Sequence, residues 1–68
     1  MKDRWSRFIE VGGETFEVIF FRRPFREGLE ARMQVRGVEI SLAELGLGEQ
    51  ELLQRARERI EAELRATR

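Results

Sequence analysis

The sequence predicts an α+β domain: a three-stranded, or with one further short strand four-stranded, antiparallel β-meander, followed by one C-terminal amphipathic α-helix packed on one sheet face. Between Trp5 and Ile40 apolar and polar residues tend to alternate, as in half-buried strands. Beyond Gly48 the apolar residues recur every three or four positions, as on one face of a helix. A length of 68 residues predicts a single domain, 1–68.

A Gly-Gly pair marks the first predicted hairpin. Gly12 and Gly13 separate the runs WSRFIEV and ETFEVIFF, and glycine readily adopts the positive φ angles of a two-residue turn. This turn places Trp5 opposite Phe20. The apolar residues that then share the inner face of the hairpin are Trp5, Ile9, Val11, Phe16, Val18 and Phe20.

The opposite face of this hairpin is mostly polar but carries Phe8, Ile19 and Phe21. One helix covers only one face of a sheet, so these three side chains need another partner. An apolar patch with a polar rim is typical of a protein interface. We therefore expect Phe8, Ile19 and Phe21 to form the interface of a homodimer or the contact with an unidentified partner protein.

Pro24 cannot donate a ladder hydrogen bond, so the second strand should end at or just before it, with PFREG as the connection. The third strand starts at Leu29, and its inward residues are Leu29, Ala31, Met33 and Val35. After it, Arg36-Gly37 fits two interpretations, a tight turn into a fourth strand or a bulge within one long strand.

Helix signals dominate the C-terminal part. Ser41 and Glu44 have the spacing of a capping box, which predicts a short helical turn there before LGLG interrupts it. Gly46 and Gly48 then precede the main helix, predicted from about Glu49 to Ala66. Its apolar stripe comprises Leu52, Leu53, Ala56, Ile60 and Leu64.

The residue inventory argues against catalysis. The chain has no His, Cys or Tyr, which removes the common general bases, thiolate nucleophiles and transition-metal ligands. We expect no catalytic residues, no cofactor and no metal site, and hence a non-enzymatic protein.

The composition also indicates the cellular compartment of the protein and the growth temperature of its source. The absence of Cys, of an apolar leader and of a membrane-length apolar stretch predicts a cytoplasmic protein. Twelve of the 13 basic residues are Arg and Asn is absent, which is compatible with a heat-adapted source.

The stretch FFRRPFR supports a competing hypothesis of nucleic-acid binding. Residues 20–36 hold five arginines against two glutamates, although the net charge of the chain is zero. In this alternative, Arg22, Arg23 and Arg26 hold phosphates, and Arg32, Gln34 and Arg36 read base edges. Because Glu10, Glu17 and Glu30 share the same predicted face and would repel phosphates, we favour the protein-interaction interpretation.

Overall fold

The computed structural model describes residues 3–22, 28–44 and 46–66 and confirms the α+β prediction. Its elements are the strands β1 (Arg4–Val11), β2 (Glu14–Arg22), β3 (Leu29–Val35) and β4 (Val38–Glu44) and the helix α1 (Glu49–Ala66). The strands form one antiparallel sheet in the order β1-β2-β3-β4. The four-stranded version of the meander is therefore the correct one, and α1 packs on one of its faces.

The first hairpin has the register set by its glycine turn. Trp5 lies opposite Phe20, as predicted. Gly12 and Gly13 have φ angles of 59° and 81°, the left-handed values that a two-residue hairpin turn requires. A Cβ atom on Gly12 would lie 3.4 Å from Leu64 Cδ1, so the turn also packs closely against the last part of α1.

The second hairpin resolves the choice left open at Arg36-Gly37. These residues have φ angles of 53° and 82° and form a tight turn, not a bulge. Val35 on β3 pairs directly with Val38 on β4 across this turn. Arg36 therefore occupies a left-handed conformation that most non-glycine residues avoid.

The predicted helical turn at Ser41 to Glu44 is wrong, because these residues belong to β4. Ser41 pairs with Arg32 of β3. The alternation of Val38, Ile40 and Leu42 continues through this segment and adds apolar side chains to the inner sheet face. An isolated helical turn forms few hydrogen bonds for the backbone it orders, whereas a fourth strand satisfies the free edge of β3.

A capping arrangement exists further along, at the start of α1. The carbonyl oxygen of Gly48 accepts a hydrogen bond from the N–H of Leu52 at 3.0 Å. The side chain of Glu51 reaches back and accepts the Gly48 N–H at 3.1 Å. Gly48 is thus the N-cap and Glu51 supplies the returning half of a capping box.

The core lies between the sheet and α1. Its buried apolar residues are Val11, Phe16, Val18, Phe20, Ala31, Met33, Val35, Ile40, Leu52, Ala56 and Ile60. Among the described residues no polar or charged residue is buried with them. Phe20 is fully buried and stacks on Trp5 with 5.7 Å between ring centroids, so the aromatic pair fills one end of the core.

Three polar contacts attach α1 to β1 among the described residues, one of them a hydrogen bond from Arg7 Nε to Glu49 Oε2 at 3.4 Å. The indole N–H of Trp5 donates a hydrogen bond to Glu49 at the first turn of the helix. Near the middle of the helix, Arg57 Nη1 donates to the carbonyl oxygen of Glu10 at 2.7 Å. These contacts fix the direction of α1 across the sheet. Within the described part of the chain, no helix has the length and apolar character needed to cross a membrane.

We expect neighbouring leucines of α1 to differ sharply in their effect on stability. Leu52 is completely buried whereas Leu53 is only partly so. Leu52→Ala should lower the free energy of unfolding by about 2–5 kcal/mol, because truncation of a buried leucine leaves a cavity. Leu53→Ala is the matched control, and it should lower the free energy of unfolding clearly less. Urea denaturation measures both, and equal losses would contradict the packing of α1.

Candidate functional site

The sheet face turned away from α1, here called the outer face, is the side of the sheet that the helix leaves uncovered. By strand alternation and register, its described residues are Arg4, Ser6, Phe8, Glu10, Thr15, Glu17, Ile19, Phe21, Glu30, Arg32, Gln34, Glu39, Ser41 and Ala43. Most are polar, as expected of a solvated antiparallel sheet face. The apolar residues among them need a separate explanation.

The structure places all three predicted interface residues on this outer face. Phe8 is 68% exposed, while Ile19 and Phe21 are half-buried. Phe8 lies opposite Glu17, and Ile19 lies opposite Ser6 two pairs further along the same hairpin. Phe8 and Ile19 are therefore diagonal neighbours, close enough for an aromatic side chain to bridge.

Phe21 is partly covered by two arginine side chains. The guanidinium carbons of Arg4 and Arg32 lie 5.4 and 5.0 Å from the centre of its ring, a cation–π geometry. Arg32 Nε also donates to Glu30 Oε2 at 2.9 Å, and this hydrogen bond, with the attraction between the charges, raises the pKa of Arg32. Phe21 thus has partners within the chain, whereas Phe8 projects into solvent.

A groove opens on the outer face where β2 and β3 separate. In the described residues their pairing covers four residue pairs, from Arg22↔Leu29 to Ile19↔Arg32, and the described pairs of Glu14–Val18 are made with β1 alone. The groove has a volume of about 620 Å³. Its lining residues are Arg4, Thr15, Phe16, Glu17, Ile19, Phe21, Arg32, Met33, Gln34 and Glu39. Since Phe16 and Met33 belong to the core, the groove reaches between the strands.

The two ends of the outer face carry opposite charge. Arg4 and Arg32 lie at the end near Phe21, together with the single carboxylate of Glu30. The opposite end, around Phe8, carries three carboxylates and no basic residue in the described strands; these are Glu10, Glu17 and Glu39. The exposed aromatic ring therefore stands at the acidic end of the face.

The arginines proposed for nucleic-acid binding do not share one surface. Arg22 follows Phe20 by two positions on β2, and its guanidinium carbon lies 5.7 Å from the centre of the Trp5 ring on the helix side. Arg32 and Gln34 lie on the outer face instead. Arg23 and Arg26 lie outside the described residues.

Arg36 connects the two hairpins rather than projecting freely. Its Nη1 and Nη2 atoms donate to the two carboxylate oxygens of Glu14 at 2.8 and 2.6 Å. Hydrogen bonding by Arg36 lowers the pKa of Glu14, outweighing the opposing effect of partial desolvation, and the same contact raises the pKa of Arg36. This bidentate pair joins the β3–β4 turn to the start of β2, at the end where β2 and β3 are unpaired.

Sequence reasoning did not reveal the groove, because nothing local marks the point at which β2 and β3 part. The contact between Arg4 and Phe21 could have been predicted from the sequence, because the glycine turn that sets Trp5 opposite Phe20 also sets Arg4 opposite Phe21. In the part of the chain that the structure describes, no group of three or more potential ligand residues is arranged to hold a metal ion.

Comparison with known proteins supplies no relative: no protein-family model matches the chain, and no curated protein or solved structure matches it significantly. The function must therefore be argued from the surface itself.

Removing the Arg36 guanidinium should raise the pKa of Glu14. We expect Arg36→Gln to move this pKa up towards its ordinary value of about 4.3, because the charged hydrogen-bond donor is lost. Titration of the carboxyl carbon signals by NMR measures the change. Arg36→Lys, which keeps the charge but not the paired geometry, should give an intermediate value.

The lowered pKa of Glu14 also makes the stability of the fold depend on pH. A carboxylate whose pKa is lower in the folded state stabilises the fold above its unfolded pKa and loses that contribution as the pH falls through the folded pKa. The stability difference between wild type and Arg36→Gln should therefore shrink on acidification. An unchanged Glu14 pKa in the variant would show that the pair does not form in solution.

Proposed function

We propose that this protein is a non-enzymatic protein-interaction module that forms a homodimer through the outer face of its sheet. The observation that carries the proposal is Phe8, a large aromatic residue that is 68% exposed on the one sheet face that α1 does not cover. Cysteine is absent, in keeping with the reducing cytoplasm, where we place the protein.

A small domain has a physical reason to associate. At this size a folded chain buries only about 60% of the surface that its unfolded form exposes, so its core is thin. Disulfides are not open to a chain without cysteine. Covering Phe8 and Ile19 against a second subunit would add buried apolar surface without enlarging the chain.

The charges on the outer face suit a second copy of the same chain. A cationic end around Arg4 and Arg32 and an acidic end around Glu10 and Glu17 become complementary when two copies meet in opposite orientation. Such a two-fold contact uses the same patch on both subunits. The net charge of zero means that two copies do not repel each other overall.

The dimensions of the sheet set the expected strength of the dimer. Four strands of seven to nine residues present a face about 25 Å long and about 19 Å wide. Two copies would bury on the order of 1,000 Å² in total, at the lower limit for a specific interface. We therefore expect a dissociation constant on the order of micromolar.

Nucleic acid is a less suitable partner for this surface. Glu10, Glu17 and Glu39 would face the phosphates, and Arg32 is already hydrogen-bonded to Glu30. Binding of this kind would weaken steeply with added salt. Retention of the protein on DNA or RNA at low ionic strength, with steep release by salt, would replace the proposal with this alternative.

Phe21→Glu should abolish the dimer while leaving the monomer folded. The new carboxylate would stand between Arg4 and Arg32, which partner it within the chain, but its desolvation in an interface is unfavourable. Sedimentation velocity from about 0.1 μM to about 100 μM, on both sides of the expected dissociation constant, gives the mass of each species.

Val38→Glu is the matched control, because Val38 is 48% exposed but pairs with Val35 and so belongs to the inner face. It should leave the dimer intact. A wild-type protein that stays monomeric throughout the concentration range would overturn the proposal. A dimer in which Phe21→Glu changes neither mass nor thermal stability would place the interface elsewhere.

A further inference from the structure

We propose that the side chain of Phe8 from each subunit inserts into the groove between β2 and β3 of the other subunit. This inference rests on the proposed dimer and names the contact that holds it together. The outer face then carries both halves of the contact, a projecting aromatic ring and a recess that a second copy fills.

The recess has a mixed lining, in which four apolar residues stand among six polar ones, and the apolar residues offer a contact for an aromatic ring. Ile19 and Phe21 form part of its outer wall, and Phe16 and Met33 reach it from the core. Its volume of about 620 Å³ exceeds that of a single phenylalanine side chain and leaves room for the neighbouring β1 residues of the incoming subunit. Insertion of the ring would remove apolar surface from water on both sides of the contact.

Phe8 does not fill the groove of its own chain. It lies on β1, separated from β3 by the whole of β2, and it is 68% exposed. Its position is absent from the lining of the groove, although its cross-strand neighbour Glu17 contributes to that lining. A second copy can supply the ring from outside.

The flanking charges set the orientation of the insertion. Phe8 is accompanied by the carboxylates of Glu10 and Glu17. The groove is cationic at the end where Arg4 and Arg32 flank Phe21. Phe8 entering from the partner brings its carboxylates towards these arginines, whereas the reverse orientation would bring them towards Glu17 and Glu39.

The two-fold symmetry doubles this contact. If Phe8 of one subunit occupies the groove of the other, the symmetry places the second Phe8 in the first groove. Because each subunit gives one ring and receives one, a change to either half alters two contacts at once. This allows the two halves to be separated by mixing variants.

Two substitutions test the two halves. Phe8→Ala removes the ring from an exposed position, so its effect on monomer folding is small. Ile19→Phe adds bulk to the groove wall at a position that tolerates an aromatic residue in a strand. Each homodimer should dissociate at a concentration about tenfold or more above the wild-type value, the loss expected for a central aromatic contact.

Mixing the two variants should restore association. In the mixed pair, the intact Phe8 of the Ile19→Phe chain meets the intact groove of the Phe8→Ala chain. On the other side, the small alanine side chain meets the filled groove without a clash. Fluorescence energy transfer between differently labelled chains should therefore show the mixed dimer forming in preference to either homodimer, and Val38→Ala should leave wild-type association unchanged.

The outcomes distinguish this contact from the dimer itself. Wild-type monomer at every concentration removes both the dimer and the contact. A wild-type dimer that Phe21→Glu dissociates, but that Phe8→Ala leaves unchanged, keeps the outer-face dimer and overturns the insertion of Phe8. Variants that weaken their homodimers without favouring the mixed dimer also overturn it, because independent losses do not compensate.

Discussion

Burial of one stripe of α1 against the inner sheet face is the contact on which the rest of the fold depends. Leu52, Ala56 and Ile60 have no exposed surface, and they pack on residues from both hairpins. Among the described residues, the hairpins themselves are joined by four residue pairs between β2 and β3. Since an isolated hairpin is at best marginally stable in water, α1 is what turns two hairpins into one domain. The Glu14–Arg36 pair adds a second connection where the strands part.

The same arrangement accounts for the unusual character of the outer face. A single helix can cover only one side of the sheet, so every apolar residue on the other side needs a partner or stays in water. Phe21 finds two arginines within the chain, but Phe8 finds none among its described contacts and remains exposed. The separation of β2 from β3 leaves a recess on this same side. An exposed ring and an unfilled groove on one surface are two consequences of having one helix and a divided sheet.

The local sequence was sufficient to predict the structure where a turn, or the spacing of apolar residues, determined it alone. Gly12-Gly13 set the register of the first hairpin, and the spacing of Leu52, Ala56 and Ile60 located the helix. It failed at Ser41–Glu44, where a capping-box pattern and a strand alternation coexist and pairing with distant β3 decided between them. The groove was not predictable, because it depends on the length over which β2 and β3 are paired. That length reflects packing across the whole core and has no signature in neighbouring residues.

The position of α1 after all four strands has a consequence for folding during synthesis. Each hairpin is closed by a two-residue turn and can form within about 1–10 μs of becoming available. The helix that covers the inner face is made afterwards, and its 18 residues take about 1–4 s at a translation rate of about 5–20 residues per second. During this interval the inner apolar face of the sheet has no cover. The nascent chain therefore passes through a stage at which chaperones or other nascent chains can reach its core residues, and this stage ends only when α1 docks.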